Sequence, residues 1–195
     1  MKLTKAIALS LAALVAAGAI AGCGDQKKEA KAPADKKEIT VGITSGYSEQ
    51  VMEFVAKEAE KDGLKVNLKS FGDYVTPDAA LAAGEIDLNS YQHGPYLEAY
   101  NEKNGTKLIS IGNTYLAPLR IYSNKYKDLK DVPDGARVSI PNDPTNEGRG
   151  LQLLEKAGVI KLKEGVGMKA TPADVVENPK NLKFQELEAA QLPRS

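Results

Sequence analysis

Phe71, Tyr74, Tyr91 and Tyr96 crowd a short stretch of a 195-residue chain in which aromatic residues make up 6% and tryptophan is absent. They do not keep the spacing of a helix or strand core. They fall at the predicted C-terminal ends of strands and in the loops that follow, the edge where open α/β sheets bind ligands. His93, the single histidine, lies in the same loop, Tyr91-Gln-His-Gly-Pro-Tyr96. A satellite packing cluster under a loop is the alternative use of these rings, and a structural hydrogen bond is the ordinary use of a lone histidine.

The second stretch with chemical potential is Ile140-Pro-Asn-Asp-Pro-Thr-Asn-Glu-Gly-Arg149. The alternating run 137–140 reads as a strand that stops at Pro141. The polar turn after it, which includes Asn146, leads into an amphipathic helix carrying Leu151, Leu153, Leu154 and Ala157 and closed by Gly158. A helix start offers unpaired N–H groups to an anion. Arg149 falls in that first turn, against the helix dipole, so a negative partner is expected; Glu147 is one candidate and a ligand carboxylate another. An arginine presents two parallel N–H groups to a carboxylate and fixes its position and orientation. Tyrosine rings with one histidine facing such an arginine would make an amino-acid pocket. A thioether suits the rings, although leucine and phenylalanine remain open on these residues alone.

Other chemistries find little support. One Cys and one His exclude a zinc site or Cys–His catalysis built within the chain. Gly-x-Ser-x-Gly and phosphate-loop motifs are absent, and pairs such as Asp73 with Glu85 have no local motif, so the expectation is a non-enzyme without cofactor or metal. With 26 basic and 26 acidic residues, no nucleic-acid footprint is visible.

The elements that would position these residues follow in order. Strand 38–43 leads through a turn to helix 49–61 with Ser48 as its cap, then to strand 64–68. Thr76 is expected to cap a short helix to Ala83, followed by strand 84–88, a helix from Pro95 to about Lys103, and strand 107–111. This rhythm is a small α/β lobe over 38–115. A second α/β lobe over 116–195 would hold a crossing strand 116–122, a surface loop 128–135, the strand–turn–helix around Arg149, a short helix from Thr171-Pro172 and strand 182–187. Residues 188–195 read as the start of a helix. A second lobe with so few strands would bury little core, so it is expected to be incomplete.

Residues 1–22 read as an export signal. A short basic start is followed by the apolar run 6–20, too short and wrongly flanked for a membrane span. Small residues precede Cys23, which resembles a bacterial lipobox, in which the thiol receives a diacylglyceryl group. Residues 23–37 are lysine-rich without large apolar residues, and read as a tether from a membrane anchor on Cys23. Loss of the signal removes two lysines and no acid, leaving a slight negative charge.

Three segments carry a resemblance: Val41-Gly-Ile-Thr-Ser-Gly46, Gln92-His-Gly-Pro-Tyr96 and Ile140–Arg149, the last highly specific. From Glu38 onward the chain resembles the methionine-binding lipoproteins of the NlpA family, substrate-binding components of ABC importers. The resemblance implies a two-lobed periplasmic-binding-protein-like fold with the ligand between lobes. It implies that Tyr74, Tyr91, His93 and Tyr96 line a side-chain pocket, and that Asn146 and Arg149 hold the backbone end of the amino acid, with Arg149 on the carboxylate. The partners implied are L- or D-methionine, the membrane through Cys23 on the extracytoplasmic face, and an ABC permease with its ATPase. Another hydrophobic amino acid, a dipeptide, or a non-transport surface lipoprotein are the competing expectations. Position 91 is often Phe in similar sequences, and a larger residue is common at Gly94. Similar proteins continue past residue 195, so the chain is expected to be a truncated member that binds poorly or not at all.

Overall fold

The computed structural model describes residues 36–195. The predicted signal segment 1–22, Cys23 and most of the tether lie outside the described residues.

β1 (Glu38–Thr44) alternates too little to leave a solvent face, and its last four residues are all buried, as expected of a central parallel strand. It pairs in parallel with β2 (Lys65–Phe71) on one side and with the two-residue β3 (Leu88–Asn89) on the other. α1 (Tyr47–Lys61) makes the crossover from β1 to β2 and places Met52 against Val41 and Ile43, with Ile39, Val66, Leu68 and Leu88 around them. α2 (Thr76–Ala82) and α3 (Gly94–Asn104) complete this part. The second part is built on β4 (Arg137–Pro141) paired in parallel with β7 (Lys183–Leu187). α4 (Asn146–Lys156) buries Leu151 and Leu154 against Ile140, Ile160, Leu162, Ala170 and Leu182. β5 (Lys161–Leu162) and β6 (Val175–Glu177) form a small antiparallel pair. The class is α/β, as expected, with two small parallel sheets.

Several local expectations are corrected. Ser48 does not cap α1, which begins one residue earlier after Gly46; its hydroxyl donates to the Ser90 carbonyl and so ties α1 to the loop after β3. Thr76 does not cap α2 either. The Asp73 carboxylate does, accepting from the backbone N–H groups of Val75 and Thr76 and from the Thr76 hydroxyl, at 2.6–2.7 Å. Strand 84–88 shrinks to β3.

The expected strands 107–111 and 116–122 do not form. The Asn101 side chain captures the backbone of Leu108 instead, donating to its carbonyl at 2.8 Å and accepting from its N–H at 3.0 Å. Groups satisfied by an amide side chain are withdrawn from any sheet edge. Ile109 and Ile111 are 79% and 74% exposed. The short helix at Pro172 is a 3-10 turn, Pro172–Asp174, and residues Ala189–Arg194 form another 3-10 segment where a helix start was expected.

Candidate functional site

The loop after β3 begins the site. His93 caps α3 with its own ring: Nδ1 accepts from the Tyr96 N–H at 3.0 Å. With Nδ1 as acceptor, the proton of a neutral imidazole sits on Nε2, which donates to Asn146 Oδ1 at 2.8 Å. The same oxygen accepts from Arg149 Nη1 at 2.7 Å. Asn146 Nδ2 points the other way, to both carboxylate oxygens of Asp143 at 3.0–3.1 Å. Every polar atom of this buried amide is engaged, and the chain of bonds links the β3–α3 loop to the first turn of α4.

Tyr74, Tyr91 and Tyr96 stand edge-to-face around one another, with ring centroids 5.8–6.3 Å apart, the arrangement that ring quadrupoles favour. The His93 ring joins at 6.3 Å from Tyr96. The hydroxyls of Tyr91 and Tyr96 both donate to the Tyr74 carbonyl, at 2.7 and 2.9 Å. Their polar ends are thereby turned back onto the backbone. The structure thus brings all six predicted residues into one contiguous chain of contacts.

The helix-start expectation is corrected. The first-turn donors of α4 are already taken: Asp143 Oδ1 accepts from the N–H groups of Thr145 and Asn146, and the Asp143 carbonyl accepts from that of Glu147. Any anion here would be held by Arg149 rather than by those amides. Glu147 does not compensate Arg149. Among the described residues Arg149 makes no ion pair, and Glu147 faces Glu186 instead.

Residues 39–195 match the model of the family described as NlpA lipoprotein. The chain belongs to the NlpA lipoprotein family. It is 50% identical over 187 residues to the D-methionine-binding lipoprotein MetQ of Salmonella typhimurium, covering 95% of this chain and 67% of that one. A crystal structure of the methionine binding protein MetQ superposes with a TM-score of 0.79 at 53% identity, covering 81% of this chain and 65% of the other. A nutrient binding protein from Burkholderia cenocepacia, solved bound to methionine, gives 0.76 at 51% identity, over 80% and 66%. The chain therefore spans about two thirds of the length of these NlpA-family relatives.

Electrostatically the tyrosine cluster is an apolar, electronegative place. Burial, and then the charge of Glu188, Tyr115 and Asp143, raise Tyr74 above the ordinary phenol range. Burial is also the main reason that Tyr91 and Tyr96 are raised, with Asp78 and Asp143 the leading charges. These hydroxyls stay protonated at physiological pH, and those of Tyr91 and Tyr96 act as donors. Glu147 is pushed up to about 7 by burial, by its hydrogen bond to Glu186 and by the charges of Glu186 and Asp143.

A cavity of about 580 Å³ lies beside the cluster, between the start of α3 and the start of α4, with Pro95, Ala99, Thr145, Glu147 and Met168 in its wall. None of the six residues lines it. Sequence reasoning also missed the supports. Asp78, fully buried, accepts from Asn89 and Gln92 at 2.8 and 2.6 Å and so holds the loop that carries Tyr91 and His93. Gly148 lets α4 approach the backbone of Met168, where an added Cβ would fall 2.1 Å from the carbonyl oxygen. An Asp ahead of a helix is a recognisable cap signal, so Asp143 was findable; Asp78 and Gly148 act through tertiary contacts and carry no local signature.

Proposed function

We propose that this NlpA-family chain is an extracytoplasmic binding protein for methionine, L or D, that hands its ligand to an ABC permease and its ATPase. It binds and does not transform its ligand. The observation that carries this reading is the constellation itself: three tyrosine rings and a histidine joined through Asn146 to an arginine that makes no ion pair among the described residues. Tyr74, Tyr91, His93 and Tyr96 take the thioether side chain. Asn146 and Arg149 take the backbone end, Arg149 by two parallel bonds to the carboxylate. The names of the relatives, a D-methionine-binding lipoprotein and a nutrient binding protein bound to methionine, favour this ligand over other amino acids. The lipobox-like sequence before Cys23 supports a lipid anchor at the outer face of the cell membrane.

Titration calorimetry of the full chain with L-methionine, D-methionine, leucine, phenylalanine and glycyl-methionine tests the ligand class. Arg149→Ala is expected to weaken methionine binding by about 2–5 kcal/mol, the usual cost of removing one partner of a buried charge pair. Undiminished affinity in that variant would remove Arg149 from the site. Preference for a ligand other than methionine would move the reading to that ligand.

A further inference from the structure

We propose that Glu188 is a further binding residue of this site, holding the ammonium group of a zwitterionic amino acid. The inference rests on the amino-acid reading above. β4 and β7 run in parallel with Pro141 level with Leu187, and the Asn142 N–H donates to the Leu187 carbonyl at 2.9 Å. Glu188 is therefore carried to the same C-terminal sheet edge as the 142–146 turn, the edge where open parallel sheets bind ligands.

Its Oε2 is buried, and among the described residues it has no hydrogen-bond partner and Glu188 makes no ion pair. A buried carboxylate oxygen without a donor is costly, and such groups mark places where a missing partner belongs. Of the neighbouring acids, Asp143 accepts from Thr145 and Asn146, Glu147 is paired with Glu186, and Asp78 is engaged through Oδ1 by Asn89 and Gln92 while its Oδ2, like Glu188 Oε2, has no partner among the described residues. The charge of Glu188 is felt at both Tyr74 and Tyr96, which sets the carboxylate close to the rings. The site then offers Arg149, which makes no ion pair among the described residues, Glu188 with its unpartnered Oε2, and an aromatic wall. That is the complement of an α-amino acid with an apolar side chain. It also explains why a second carboxylate is tolerated beside a cluster that already includes Asp143.

The test compares L-methionine with 4-(methylthio)butanoate, which keeps the thioether and carboxylate and lacks the ammonium. In the unaltered full chain, calorimetry should show methionine binding at least about tenfold tighter, as a charge-assisted bond requires. In Glu188→Gln, methionine should lose about tenfold or more, while 4-(methylthio)butanoate changes less than about twofold. Equal loss for both ligands would make Glu188 a structural residue and overturn the proposal, as would unchanged methionine affinity. Equal binding of the two ligands by the unaltered chain would overturn it without any variant. Binding of neither ligand by the unaltered chain would sink the amino-acid reading itself and this inference with it.

Discussion

At the scale of single residues, the site is held by side chains that each satisfy two neighbours. Asn146 accepts from His93 and Arg149 and donates to Asp143; no other residue type of that size supplies two acceptor sites and two donors together. Five of the candidates were legible because their types are unusual where they stand, the rings and His93 off core spacing and Arg149 in a first helical turn, whereas Asn146 came only from the resemblance to the NlpA family. Asp78 was not legible, since a buried carboxylate on a short helix looks like any surface acid until Asn89 and Gln92 are brought to it. The Glu147–Glu186 pair was equally invisible, because it depends on β7 lying alongside β4. That pair makes a testable pH dependence. Between about 4.5 and about 7 the folded Glu147 keeps a proton that the unfolded chain has released, so the native state binds more protons and stability falls as pH rises through this window. Glu147→Gln removes the penalty. It should raise stability at pH 8 by about 1 kcal/mol or less after solvent screening of a half-buried group, seen as a higher melting temperature, and change it little at pH 4.5. Thermal melts at the two pH values check this; an equal shift at both would show that the effect is not protonic.

At the scale of elements, helix existence followed from apolar periodicity, while the capping residues followed from contacts. Three side chains cap where none of them was expected to: Asp73 acts in place of Thr76, and Asp143 and the His93 ring serve α4 and α3, for which the sequence named no cap. Each is a side chain placed a turn earlier, or of an unexpected kind, with the same office of absorbing orphan N–H groups. α4 shows how tertiary contact overrides propensity. It contains Gly148 and Gly150, which helix propensity alone would replace with alanine. Gly148→Ala would drive a Cβ into the Met168 carbonyl, whereas at Gly150 the nearest atom is Pro141 Cδ at 3.5 Å, an ordinary contact. Gly148→Ala should therefore destabilise toward the upper end of about 1–3 kcal/mol, and Gly150→Ala should stabilise by up to about 1 kcal/mol. Urea unfolding midpoints of the two variants decide it. Similar losses in both would mean that α4 does not lie against residues 167–170 as described.

At the scale of the whole molecule, the first parallel sheet with its crossover helix was readable, the strands of the second were readable without their pairing, and the stretch between α3 and β4 was not. Residues 107–111 and 116–122 have the alternation of strands, but a strand exists only where another lends its edge. Here Asn101 takes the backbone of Leu108, and the apolar side chains beyond it face solvent, Leu116 at 93% exposure and Tyr122 at 82%. This run is the part of the described chain whose sequence pattern and conformation disagree most. If Ile109 and Ile111 stand in solvent, they contribute nothing to the folded core. The double variant Ile109→Lys/Ile111→Lys should leave the urea unfolding free energy within about 0.5 kcal/mol of the parent, as surface substitutions do. It should also lower the binding of a dye that reports exposed apolar surface, because two large hydrophobic side chains have been removed from water. The two readouts separate the possibilities. A loss of more than about 2 kcal/mol would mean that these residues are packed, and that the alternation read from the sequence was the better guide to this segment than the conformation Asn101 imposes.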